Sequence, residues 1–313
     1  MESSTSRWLA SHTWSSLDWA VDQVTADARS AGLSIAVVLP ARNEAATIGA
    51  IVRTIRADLV DAHGLVGEVV VVDSGSSDTT AEVATAAGAR VVRRETVLPE
   101  VPVHPGKGEA MWRGLAATTA DIVVYIDADL QSFTSDYVVG LVGPLIAHPE
   151  LHLTKAIYER PLVAGETVVP AGGGRVTELV ARPLINRLWP ALAGVVQPLA
   201  GEYAGRRALL EALPFPCGYG VELALLVDTY ARLGLDAIGQ VDLGVRVHRH
   251  HDDAGLGLMA AEILETALQR MPTVEAVSRS GELVQFDRTD DGYQPRIRSI
   301  SAIERPPLAR VRP

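Results

Sequence analysis

The sequence predicts an α/β fold: a mostly parallel central sheet with helices on both faces. Three observations predict it. Short apolar runs at 35–39, 69–72 and 122–126 have the length and content of strands buried on both sides. Stretches with helical spacing lie between them, and strands alternating with helices imply parallel pairing. Each run ends in a polar segment, as at the carboxyl edge of an open parallel sheet, where ligands bind. With 313 residues, 48% of them hydrophobic, the chain can build a sizeable core.

Taken in order, residues 1–33 read as a polar lead-in with an amphipathic helix, docked by Trp8, Trp14 and Trp19 onto the body or a partner subunit. Ile35–Leu39 is the first strand, stopped by Pro40. Asn43 caps a helix whose Ile48, Ile51, Val52 and Ile55 share one face. Val69–Val72 is the second strand and runs into Asp73-Ser-Gly-Ser-Ser-Asp78. Asp78 caps the next helix, which continues to about residue 87. Arg90–Arg93 is a third strand, 107–119 a helix, and Ile122–Ile126 a fourth strand entering Asp127-Ala-Asp129. These elements make residues 34–150 one α/β region. Residues 151–255 are more mixed, with a strand at 151–158 and helices from Val176 and over 221–233. In 238–248, Val241, Leu243, Val245 and Val247 alternate with a polar face that includes Gln240 and His248. Residues 256–313 read as a late helix, 256–271, and a tail.

Composition excludes several classes. The 28 Lys and Arg against 38 Asp and Glu give a net charge of −10, unsuited to a long phosphate backbone. One cysteine, Cys217, rules out an internal disulfide and a cysteine-based zinc site, so it reads as a small packing residue. The N-terminus lacks the basic and apolar regions of a signal peptide, and no run of about 18 apolar residues appears. A cytoplasmic protein without a membrane span is expected.

The polar segments carry the chemistry. Asp127 and Asp129 at a strand end can meet a hard divalent cation through oxygen. Glu44 and Asp73, at two neighbouring strand ends, can accept from a base or ribose. Lys107, between two glycines at a helix start, can place its ammonium beside a diphosphate. Gly172-Gly-Gly174 exposes backbone N–H groups ahead of a helix, where Arg175 can hold a phosphate or carboxylate and Thr177 can donate a hydroxyl. His248 can join carboxylates on a cation. Glu222, on an otherwise apolar helix, is half-exposed or lines a cavity.

The blocks VVLPARNE, VVDSGSSD, HPGKGEAMWRGLAAT, DIVVYIDADL, AGGGRVTELVARPL, PFPCGYGVE and DLGVRVHRH together resemble the glucosyl-3-phosphoglycerate synthase family of actinobacteria, as does the terminal ERPPLARVRP. The resemblance implies a nucleotide-diphospho-sugar transferase (GT-A) fold and a homodimer. It implies glucose transfer from UDP-glucose to the 2-hydroxyl of 3-phosphoglycerate, with retention and with Mg²⁺ or Mn²⁺. By position it places Pro40, Ala41, Glu44, Ser74, Lys107, Asp127 and Ala128 on the nucleotide sugar. Glu222 and the backbone near Leu199 would line the glucose pocket. Asp129 and His248 would hold the metal, and Gly174, Arg175, Thr177 and His250 the acceptor. Asp129, Lys107 and Glu222 are the catalytic candidates. Three positions depart from the family's pattern: Arg42 beside the nucleotide, Ala128 between the aspartates, and His250 where Asn is expected. The alternatives are a mannosyl-3-phosphoglycerate synthase using GDP-mannose and a sugar-1-phosphate nucleotidyltransferase. The latter would carry a Gly-rich basic loop after its first strand, where this chain has the acidic PARNE.

Overall fold

The computed structural model describes residues 4–159, 162–164, 167–169, 174–245, 253–271, 282–289, 292–299 and 303–311. The central sheet has eight strands: β1 Thr13–Ser15, β2 Ile35–Ala41, β3 Glu68–Asp73, β4 Arg90–Arg93, β5 Ile122–Tyr125, β6 Leu153–Glu159, β7 Tyr203–Arg206 and β8 Ile238–Val245. Their spatial order is β1-β8-β6-β7-β5-β2-β3-β4. Every pairing is parallel except those of β7, which lies antiparallel between β5 and β6.

The apolar runs form the sheet centre because both of its faces are covered. Ile35 to Leu39 and Val70 to Val72 are at most 1% exposed. Alternate side chains of one strand enter opposite cores, as the strand period requires. Val37, Leu39, Val69, Val71 and Val124 pack with helices α1 Ile48–Thr54 and α2 Asp136–Ala147. Val38, Val70, Val72, Val123 and Tyr125 pack with Met111, Trp112 and Leu115 of α3 Lys107–Ala117. A third cluster joins Trp8, Val176, Ile185 and Leu192 to Leu223 and Leu226 of α4 Val221–Leu233 and to Ile263 of α5 Asp253–Gln269.

The ends of the chain differ from their expected form. The lead-in supplies a strand of the sheet: β1 pairs in register with β8, Trp14 opposite Val241. It is seated by small residues of α2, since a Cβ on Gly143 would lie 2.4 Å from the Trp19 ring. The stretch read as a tail contains an antiparallel strand pair, Glu282–Thr289 with Gly292–Ser299. Farther on, Glu304–Arg305 pairs with Phe215–Pro216. Gln240, assigned to a polar face, is fully buried. Its amide donates to Thr13 Oγ1 (3.0 Å) and Gly194 O (3.2 Å) and accepts from Val196 N (3.0 Å), tying the lead-in to the body. No helix among the described residues is long and apolar enough to cross a membrane.

Candidate active site

The carboxyl ends of β2, β3 and β5 are neighbours, so the three polar segments meet at one edge. Pro40 and Ala41 are the last residues of β2, in register with Val72 and Asp73. Ser74 is buried, and its N–H donates to Ala41 O at 2.9 Å. The structure corrects the expectation that Asn43 caps a helix, whereas Asp78 does satisfy the first backbone N–H of the helix Thr80–Ala86. Asn43 has φ of +59°, a left-handed conformation that asparagine tolerates. Its Oδ1 accepts from Ser77 N at 2.8 Å, fastening the two loops. Asp78 accepts from Ala45 N at 3.2 Å and Thr80 N at 3.0 Å. Glu44 is partly buried beside them, with its N–H donating to Thr80 Oγ1 at 2.8 Å. Both loops are therefore rigid, with side chains replacing secondary-structure bonds.

The segment after β5 is pinned in the same way. Thr47 Oγ1 donates to Ala128 O at 2.6 Å. Ala128 is buried, whereas Asp127 and Asp129 are half-buried. Lys107, the first residue of α3, reaches two carboxylates: its Nζ lies 2.5 Å from Asp127 Oδ1 and 2.8 Å from Glu222 Oε1. A helix N-terminus disfavours a cation, and burial works against the charge as well. The two carboxylates outweigh both effects and hold the Lys107 pKa above its ordinary range. Glu222, in the first turn of α4, is 4% exposed, which excludes the half-exposed alternative. The space is close-fitted: a Cβ on Gly201 would lie 2.3 Å from Asp127 Oδ2 and 2.6 Å from Lys107 Nζ.

Three residues near this pair were missed by sequence reasoning. Gly201 is one. The second is Lys155, a lone lysine in the apolar β6, 2% exposed. Its Nζ donates to Ala200 O at 3.0 Å and sits 4.8 Å from the Tyr203 ring centre. Burial pushes its pKa down to about 8, with Glu222 opposing the shift and Lys107 adding to it. The third is Glu202, fully buried, which accepts from Tyr158 OH at 2.8 Å. A charged residue interrupting an apolar strand was the available signal for Lys155.

Of the acceptor candidates, Gly174 takes φ of +81°, Arg175 is exposed and Thr177 is buried. Val176 between them packs in one cluster with Leu223, the neighbour of Glu222, and with the half-buried Leu199. The segment therefore shares a core cluster with the helix that carries Glu222. His248 and His250 lie outside the described residues, as do Gly172 and Gly173.

With this geometry in place, comparison with known proteins is informative. The family model for glycosyl transferase family 2 matches residues 36–162. The glucosyl-3-phosphoglycerate synthase of Mycolicibacterium smegmatis is 50% identical over 308 residues, 98% of this chain and 99% of that one. The chain belongs to the glucosyl-3-phosphoglycerate synthase family. It is a glycosyltransferase with the α/β GT-A fold. The crystal structure of the Mycobacterium tuberculosis synthase with Mn²⁺ and UDP-glucose matches with a TM-score of 0.83 and 49% identity, covering 94% of this chain and 96% of that one. Another crystal structure of that synthase, with the same score, identity and coverage, contains Mn²⁺, UDP and glucosyl-3-phosphoglycerate.

The residues present suit such a metal. Among the described residues no group of three or more His, Cys, Asp and Glu is placed to enclose an ion. Two carboxylates at a strand end suffice for a hard cation whose other ligands are diphosphate oxygens and water. Asp127 and Asp129 would supply that oxygen chemistry, and two carboxylates, Asp127 and Glu222, face one lysine here.

Proposed function

We propose that this protein transfers glucose from UDP-glucose to the 2-hydroxyl of 3-phosphoglycerate with retention, using Mg²⁺ or Mn²⁺. The observation that carries this reading is Lys107 held between Asp127 and Glu222 at the carboxyl edge of the sheet. It is supported by relatives of near full-length match, whose solved structures contain UDP-glucose, phosphoglyceric acid and Mn²⁺.

Residues 34–150 bind the nucleotide sugar in this reading. Pro40, Ala41, Glu44 and Ser74 form the nucleoside side, with Asp127 and Ala128 at the diphosphate. Asp129 and His248 would hold the cation, which supplies charge neutralisation on the departing diphosphate. Lys107 places a permanently charged ammonium beside the same diphosphate, and its high pKa keeps it protonated throughout. Glu222 and the backbone near Leu199 line the sugar pocket. In residues 151–255, Gly174, Arg175, Thr177 and His250 hold the acceptor's phosphate and carboxylate.

The reaction breaks the bond from sugar C1 to the diphosphate oxygen and forms one from C1 to the acceptor oxygen. The hydroxyl proton passes to the leaving phosphate oxygen on the same face of the sugar. Glu222 is already engaged by Lys107, so neither the base nor the nucleophile role is assigned to it. The working unit is a cytoplasmic homodimer, to be checked by light scattering.

A donor-by-acceptor activity matrix, with the product's anomeric configuration assigned by NMR, tests the reading. UDP release with UDP-glucose, 3-phosphoglycerate and Mg²⁺ together is expected. Turnover only with GDP-mannose, or a covalent sugar on Glu222, would overturn it. Arg175→Ala should raise the acceptor KM by one to two orders of magnitude, as a charge-assisted contact is lost, with UDP affinity little changed.

A further inference from the structure

The end of the chain reaches the heart of the molecule at one residue. Arg305, 5% exposed, donates to Glu109: Nε to Oε2 at 2.7 Å and Nη2 to Oε1 at 2.7 Å, a bidentate pair. Glu109 is fully buried in the first turn of α3 and also accepts from Arg113 Nε at 2.7 Å. Burial alone would raise the Glu109 pKa, but Arg305 and Arg113 outweigh it and hold the carboxylate ionised. The face of Trp112 lies 5.2 Å from the Arg305 guanidinium.

This cluster fastens the two segments that carry the site's charge pair. Lys107 is two residues before Glu109. Glu222 is five residues after Cys217, whose carbonyl accepts from Glu109 N at 3.0 Å. Cys217 N in turn donates to Ile303 O at 2.8 Å, and Phe215–Pro216 pairs with Glu304–Arg305. Gly106 and Gly108 bring the backbones together: a Cβ would lie 2.3 Å from Cys217 O at one and 1.8 Å from Pro216 O at the other. Arg305 Nη2 also donates to Pro102 O, so the guanidinium joins the loop that precedes α3 to the same cluster. Removing it leaves Glu109 with one cation, and the start of α3 is then held to the segment leading into Glu222 without the side-chain tie from Glu304–Arg305.

We infer that Arg305 is a positioning residue of the active site, setting the Lys107 ammonium against Glu222 through the buried Glu109. The inference rests on the donor-side role given to Lys107 above. Because Arg305 acts at the donor end, its loss moves donor kinetics and leaves acceptor affinity alone. A purely structural role would instead weaken both together.

The test uses the full chain, with Arg305→Lys, Arg305→Met and Lys107→Met, singly and Arg305→Lys with Lys107→Met. UDP affinity with Mg²⁺ is measured by calorimetry, alongside KM for each substrate. Arg305→Lys keeps charge and stem but loses the bidentate geometry. It is expected to weaken UDP binding and lower kcat/KM for UDP-glucose about tenfold, a coupling typical of residues in one network. The 3-phosphoglycerate KM should stay within about twofold. In the Lys107→Met background, adding Arg305→Lys should change UDP affinity no further. Wild-type donor kinetics in folded Arg305→Lys, equal loss on both substrates, or additive effects in the double variant would each overturn the inference. Should Arg305→Met not fold, Arg305→Lys alone decides the matter. Wild-type turnover in Lys107→Met would overturn the role of Lys107 as well, which separates that failure from one confined to Arg305.

Discussion

At Gly201 the backbone passes so close to the charge pair that only hydrogen fits. Gly201→Ala must displace Asp127 or Lys107, and displacements of about 1 Å at reacting groups cost on the order of a hundredfold in rate. We expect turnover to fall by that order while circular dichroism shows a folded protein. Lys155 is the other residue with a sharp expectation. Its folded-state pKa of about 8 lies below the ordinary 10.5, so the charged form opposes folding. That cost is fully present below about pH 8 and is relieved as the pH rises toward 10.5, amounting to ~3 kcal/mol. Denaturant unfolding of wild type and Lys155→Met at neutral pH and near pH 10 measures it. The stability difference should move in favour of the wild type at the higher pH. A pH-independent difference would mean that Lys155 stays charged in the fold.

Among the elements, α2 shows how small residues admit a neighbour. Gly143 receives the Trp19 ring and Gly140 receives Ser16. Gly143→Ala therefore overpacks the joint, and we expect a loss of about 1–3 kcal/mol with unchanged activity per folded molecule, read by thermal melting. The long elements were legible because strands covered on both faces must be continuously apolar and helices must repeat their apolar face. Ile35–Ala41 and Glu68–Asp73 follow from that alone. Thr13–Ser15, Tyr203–Arg206 and Glu304–Arg305 were not legible, because such short runs carry no period and lack the adjacent valines that mark Arg90–Arg93 and Ile122–Tyr125. Their partners lie far along the chain, as Thr13 does from Gln240. The site divides in the same way. Lys107, Asp127 and Glu222 each stood out as charges in unusual settings, yet only the family resemblance, and no spacing or period, joined them. Gly201 gave no signal of its own, since a glycine in a loop is ordinary, and Arg305 stood only as one residue of the family-like block ERPPLARVRP, with no role attached. Their roles come from what folding places against them.

For the whole molecule, the net charge of −10 describes the surface and its solubility. Ligand binding is set locally: in the proposed function Lys107 and Arg175 offer positive charge to small anions. Binding to the folded state alone stabilises it, by about 2.7 kcal/mol at a hundredfold excess over Kd. UDP with Mg²⁺ should therefore raise the melting temperature by several degrees, and Asp129→Ala should abolish that rise. An equal rise in Asp129→Ala would remove Asp129 from the metal site. The chain's single thiol adds a different kind of handle. Cys217 is buried, with Sγ 3.5 Å from Glu109 Oε2, and burial together with that carboxylate pushes its pKa up to about 12. In the closed fold it is neither accessible nor nucleophilic. An aromatic disulfide reagent can then modify the protein only during moments when the chain's end lifts away, so the colour it releases keeps time for that opening.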